Sequence, residues 1–239
     1  MSDPLILHIE TATDICSVAV SRGEEILALA ESGAERSHAT LLNKFIREAA
    51  GIAGMELKQL DAIAVSKGPG SYTGLRIGVS TAKGLAYALN KPLLSCSTIE
   101  SLAHLAVQQK KVQDLIRHYP GELLLCPMLD ARRMEVYTAI LRPGCNLKRG
   151  VSAEIIDENS FKDLLEKHQV IFFGNGAEKC KELINHSNAH YLDELNPSAK
   201  AMVKPVLDKY NRSEFEDVAY FEPFYLKDFV ATIPRKKIL

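Results

Sequence analysis

The chain has 239 residues, 46% of them hydrophobic and 25% charged, with 29 basic side chains against 30 acidic ones and a formal net charge of -1. That balance excludes a disordered chain, a fibrous repeat and a disulfide-stapled miniprotein, and it argues against a free-standing nucleic-acid binder, which carries a basic excess. Five cysteines, at 16, 96, 126, 145 and 180, are odd in number and form no CxxC pair, a usage that predicts a reducing, cytoplasmic setting. The opening MSDPLILHIE has no basic segment before its apolar run and reaches Glu10 too soon for an export signal. No apolar run is long enough to span a bilayer.

Leu5 to Ile9 is continuously apolar and predicts a central strand. A polar turn, Glu10 to Asp14, leads into two strands, Ile15–Val20 and Glu24–Ala30, joined by the hairpin signal Ser21-Arg22-Gly23. Ser37 is placed to cap a helix whose face is Leu41, Leu42, Phe45, Ile46 and Ala49, ended by Gly51 or Gly54. Asp61–Val65 predicts a strand, SKGPGSYTG a loop, and Leu75 to Leu89 a long helix stopped by Asn90 and Pro92. A strand at Leu93–Cys96 and a helix from Ser97 or Thr98 to about Arg117 complete the first half.

After the Pro120-Gly121 break the order starts again. Strands are predicted at Leu123–Leu129, Glu135–Leu141 and Val151–Ile156, then a helix from Ser160 to about Lys167. A strand at Val170–Phe173, a helix from Ala177 to about Ile184 and a short strand at His190–Leu192 follow. Pro197 opens a last helix, which Pro205 should kink or confine at its start. Both halves therefore read βββαβαβα, an internal duplication of element order. Two lobes, each a mixed sheet covered by helices, describe an α/β protein of the actin-like ATPase (ASKHA) fold, with lobes expected over 1–118 and 119–239. The segment FEDVAYFEPFYLKDF is expected to pack back across the body, and PRKKIL reads as a loose basic tail.

An actin-like kinase would hold nucleotide phosphates between one strand turn from each lobe. The turns here, Glu10-Thr11-Ala12-Thr13-Asp14 and Asp130-Ala131-Arg132-Arg133, contain no glycine to admit a phosphate. The strongest local signal is Lys67-Gly68-Pro69-Gly70-Ser71-Tyr72-Thr73-Gly74. Its glycines and hydroxyls, with Ser71 and Thr73 at a helix start, form either an anion nest or a structural turn. Gly174-Asn175-Gly176 is a weaker second glycine turn. The expected vestigial nucleotide or anion site thus comprises Glu10, Thr11, Gly68, Gly70, Ser71, Thr73, Asp130, Gly174 and Gly176. His186 and His190 stand at HxxxH spacing, but no HExxH motif exists, which argues against a zinc peptidase, and no metal site is expected. Gly78, Ala82, Gly84, Ala86 and Ala88 are small residues inside one helix, where each glycine costs about 1 kcal/mol against alanine. Such a helix, with its neighbour at 37–50, offers a face for a partner or for the chain's own sheet.

The stretches ILHIETATDICSVAV, ERSHATLL, LDAIAVSKGPGSYTGLRIGVSTAKGLAYAL, KPLLSCSTIESLA, PMLDARRMEVYTA, FFGNGAEK and YFEPFYLKDF resemble the TsaB (YeaZ) family nearly end to end. That family supplies the non-catalytic actin-like subunit in bacterial synthesis of tRNA threonylcarbamoyladenosine. The resemblance implies pairing with the catalytic subunit TsaD, and a ternary complex with TsaE. It also implies homodimerisation of the lone subunit, and contact with tRNA through the complex. ATP and metal would belong to the partners, with no cofactor held tightly here. Thr98 and Leu102 occupy the places of the catalytic subunit's metal-binding histidines. The docking face carried over comprises Arg36, His38, Leu41, Leu42, Phe45, Arg76, Val79, Lys83 and Tyr87. The alternative left open is an actin-like phosphotransferase or nucleotide-binding protein acting on a small molecule.

Overall fold

A computed structural model describes residues 3–33, 38–119 and 121–227. The first half contains β1 (Leu5–Glu10), β2 (Cys16–Arg22), β3 (Glu25–Ser32), α1 (His38–Ile52), β4 (Ala62–Gly68), α2 (Tyr72–Leu89), β5 (Leu93–Ser97), α3 (Thr98–Val107) and α4 (Lys110–His118). The second contains β6 (Leu123–Asp130), β7 (Glu135–Leu141), β8 (Leu147–Ile155), α5 (Lys162–Leu165), β9 (Gln169–Phe173), β10 (Ala189–Leu192) and α6 (Val203–Asn211). Ser37, Arg36 and the PRKKIL tail lie outside the described residues.

The duplication is visible in the sheets. The first runs β3-β2-β1-β4-β5 and the second β10-β9-β6-β7-β8, the same strand order read from opposite edges. In each, a three-strand antiparallel meander joins two parallel strands. The two-lobed actin-like plan expected from element order is the one observed. β1 and β6 are central, and their apolar runs reflect burial on both faces. Alternation sorts their side chains: Leu5, Leu7 and Ile9 join one cluster with α1 and α2, while Ile6 faces the opposite layer.

Each sheet's second cover comes from the other half of the chain. α3 lays Ile99, Leu102, Ala103 and Ala106 on Leu123, Leu125, Ile171 and Phe173 of the second sheet. Met202 and Val206, at the start of α6, pack on Ile6, Ala62, Ala64 and Leu94 of the first. Ser198 accompanies them, its Oγ donating to Glu31 Oε2 at 2.7 Å, while Ala199 N donates to Ser17 Oγ at 3.0 Å. His8 lies in this layer, fully buried; burial pushes its pKa down to about 3, so the ring is neutral against Ser21 Oγ at 2.8 Å.

Four helix expectations are corrected. The helix drawn from Ser97 to Arg117 is two helices. The apolar face of α3 ends at Val107, and Gln109 turns extended (φ -71°, ψ 133°) so that α4 can bury Val112 on a new axis. Ala177–Ile184 is not an α-helix but a 3₁₀ turn at Glu178–Cys180, short enough to follow the tight glycine turn. The helix at 160–167 contracts to α5, because Phe161 takes a left-handed φ of 62° to bring its ring against Phe172. The last helix starts as a 3₁₀ turn, Ala199–Met202, and Pro205 stands in the first turn of α6, where no N–H bond is lost. Among the described residues no helix is long and apolar enough to cross a membrane.

Candidate functional site

The glycine loop and the first-lobe turn, 60 residues apart in sequence, meet at the carboxyl ends of β4 and β1. Ser71 N donates to Ala12 O at 2.7 Å, and Thr11 Oγ1 donates to Gly74 O at 2.8 Å. The glycines make this approach possible. A Cβ at Gly70 would stand 2.2 Å from Ala12 O, at Gly74 2.1 Å from Thr11 O, and at Gly78 2.2 Å from Thr11 Oγ1. Ser71 caps α2 by accepting from Gly74 N at 3.3 Å, and Gly68 holds a φ of +102°. Two of the backbone N–H groups read as an anion nest, those of Ser71 and Gly74, are therefore taken by the chain's own atoms. Thr73 is exposed beside them.

Glu10 is fully buried under this contact. Its Oε1 accepts from Ala12 N at 2.7 Å and from Ser66 Oγ at 2.6 Å, while Oε2 has no partner. Desolvation outweighs those hydrogen bonds and pushes its pKa up to about 7. The second-lobe turn is different. Asp130 is exposed and pairs with Lys179, whose Nζ also donates to Arg133 O at 2.6 Å and Glu135 O at 2.8 Å. Asn175 Oδ1 accepts from Asp130 N at 3.1 Å, and Gly174 and Gly176 let their loop lie against Met128 O and Leu129. No hydrogen bond or ion pair joins Glu10 to Asp130 among the described residues. Nor does any group of three or more His, Cys, Asp or Glu there stand where it could hold a metal. Thr98 and Leu102 are fully buried.

The expected docking face is partly corrected. Leu41, Leu42, Phe45 and Val79 are core residues, 1–6% exposed, because their helical stripe is the face laid on the sheet. His38 is half-buried and its Nε2 meets Thr13 O at 2.7 Å. Lys83 is half-buried too, donating to Ala219 O at 3.1 Å and Phe221 O at 2.9 Å. Arg76 and Tyr87 do point outward, Tyr87 with 84% of its surface exposed. The outward positions are the complement of the buried stripe: Ala39, Thr40, Asn43, Lys44, Arg47, Glu48, Gly51 and Ile52 on α1, and Thr73, Arg76, Ser80, Gly84, Tyr87 and Ala88 on α2. Sequence reasoning passed over most of these, although spacing of three and four opposite the apolar stripe marks them. A Cβ on Gly84 would meet nothing within 4 Å, unlike Gly74 and Gly78 in the same helix. Nothing in the packing of the described residues needs that glycine.

Residues 212–227 form a strap beside α2. Glu216 N bonds Leu93 O at 2.8 Å, Phe221 enters the first core, and Phe224 N bonds Lys67 O at 2.7 Å. Tyr225 lies on Tyr72 with centroids 4.9 Å apart, Arg76 covers Tyr72 at 4.5 Å and hydrogen-bonds Tyr225, and Lys227 pairs with Glu135 of the second lobe.

A family model described as TsaD: tRNA N6-adenosine threonylcarbamoyltransferase matches residues 31–235. The tRNA threonylcarbamoyladenosine biosynthesis protein TsaB of Bacillus subtilis is 30% identical over 186 residues, 75% of this chain and 74% of that protein. A tRNA N6-adenosine threonylcarbamoyltransferase of Koribacter versatilis is 35% identical over 129 residues, but these are 47% of this chain and only 34% of that protein. A Pseudomonas aeruginosa structure described as similar to peptidase YEAZ superposes with a TM-score of 0.74 at 25% identity, covering 94% of this chain and all of the other. The match to the transferase is partial on both sides, whereas the match to TsaB covers most of each chain. Within the family that the model describes, this chain belongs to the TsaB proteins of tRNA threonylcarbamoyladenosine biosynthesis.

Proposed function

We propose that this chain is the accessory subunit that binds and activates a TsaD-type catalytic subunit, which transfers the threonylcarbamoyl group to adenosine 37 of tRNAs reading ANN codons. The outward face of α1 and α2 is the docking surface, and the same face pairs two copies when the catalytic subunit is absent. TsaE joins the assembled pair, and tRNA is reached through the complex. ATP and metal serve the partner subunits. The observation that carries the reading is Gly84: on an 18-residue helix it faces open space at a cost of about 1 kcal/mol against alanine. Close approach by another molecule's backbone explains that glycine, and the flanking Ser80 and Ala88 keep the approach shallow. Membership in the TsaB family supplies the identity of the partner.

The test is reconstituted modification of tRNA with the donor synthase, TsaD, TsaE, ATP, threonine and bicarbonate. Modification that requires this chain, with none produced by this chain alone, is the expected result. Equal modification without it overturns the reading.

A further inference from the structure

The strap carries more exposed aromatic surface than its attachment uses. In the run Tyr220-Phe221-Glu222-Pro223-Phe224-Tyr225, Phe221 alone enters the core. The backbone bond from Phe224, the two carbonyls on Lys83, the Glu216–Leu93 bridge, the Tyr225–Tyr72 stack and the Lys227–Glu135 pair add to the anchoring, and neither Tyr220 nor the Phe224 ring takes part in it. Tyr220 remains 84% exposed, Phe224 43% and Tyr225 37%. Isolated exposed aromatics are ordinary, but three within six residues form a patch of the kind that marks a binding surface.

Charge and continuity identify the occupant. The strap bears Glu214, Glu216, Asp217 and Glu222 against Arg212 and Lys227, a balance that repels a phosphate backbone and suits a protein with an apolar centre and basic rim. Its aromatic edge is continuous with α2: Tyr225 rests on Tyr72, Arg76 bridges both rings, and Lys83 holds Ala219 and Phe221. Tyr and Arg at the centre of such a patch are the residue types that carry most interface energy. Resting on the reading that a TsaD-type subunit covers the α1–α2 face, we infer that the same subunit also covers the strap, with Tyr220, Phe224 and Tyr225 in direct contact with it.

The test measures affinity of the full chain for a purified TsaD-type subunit by calorimetry, comparing wild type, the double variant Tyr220→Ser/Phe224→Ser, and Tyr87→Asp on α2. The expected result is that both variants weaken binding, the double variant about tenfold or more, with melting temperatures unchanged. Wild-type affinity in the double variant while Tyr87→Asp weakens binding overturns the strap contact and leaves the α2 reading standing. Wild-type affinity in both overturns both. A double variant that pairs normally with the catalytic subunit but loses self-association or tRNA retention assigns the strap to a second copy or to RNA, and likewise overturns the proposal. Should the double variant melt early, Tyr220→Ser alone is compared in the same way.

Discussion

Glu10 and Asp130 end equivalent strands of the two lobes, yet one is sealed and the other stands in solvent. The topologies around them match, so strand order is not the cause. The element after the next strand is. In the first lobe β4 feeds an 18-residue helix whose glycine-rich start closes onto Thr11 and Ala12 and shuts Glu10 in. In the second lobe β9 feeds only a 3₁₀ turn, and Asp130 is left to pair with Lys179 at the surface. One plan appears twice, and the long helix of one copy both fills its own strand turn and leaves an exposed outer face.

The largest effect that should break this contrast is at the helix start. Gly74→Ala sets a Cβ 2.1 Å from Thr11 O, a backbone atom that cannot swing away, and is expected to cost about 3 kcal/mol or more in denaturant unfolding. Gly176→Ala in the second lobe, whose nearest backbone atom is at 2.9 Å, should cost about half as much. Equal losses would mean that the two turns are closed equally tightly.

Next comes the sealed carboxyl. Its folded pKa is raised above the unfolded value, so the folded chain holds a proton that the unfolded chain releases. Its contribution to stability is complete below the ordinary carboxyl value of 4.5 and is lost as pH rises through about 7. The loss is of order 3 kcal/mol. Unfolding curves from pH 4 to 8 should show this decline in wild type, and Glu10→Gln, which has no proton to release, should flatten it. An unchanged slope in that variant would place the decline on other groups.

The smallest effect sharpens the outer face. Gly84→Ala meets no neighbour and gains helix propensity, so stability should rise by up to about 1 kcal/mol while affinity for the catalytic subunit falls. A gain in both would remove the close backbone approach at that position.

Much of this architecture was legible from residues alone. Continuous apolar runs such as LILHI and VIFF located interior strands, and the repeated order of elements revealed the two lobes. What escaped depends on contacts distant in sequence. Gly78 and Gly84 look alike in one helix, but only Gly78 has Thr11 against it. Gln108 and Gln109 are fair helix formers, and the break at them is set by where Val112 finds its pocket. Leu41, Leu42, Phe45 and Val79 belong to the docking face that the family resemblance implies, but on a layered α/β fold the apolar stripe of a helix is its inner surface. The exposed positions of both helices lie opposite it. Turns do follow β1 and β6 as the sequence predicts, but whether an acid is sealed or open depends on the length of the following helix, which the turn itself does not encode.

The exchange of covers between the halves bears on how the chain is made. Ile6, Ala62, Ala64 and Leu94 form a complete apolar face once β5 has been synthesised, but Met202 and Val206, which shield it, come roughly 100 residues later. At about 5–20 residues per second that face stays bare for several seconds on the ribosome. During that interval the nascent chain is a natural client for chaperones, and a polypeptide truncated after the first lobe would stay one permanently.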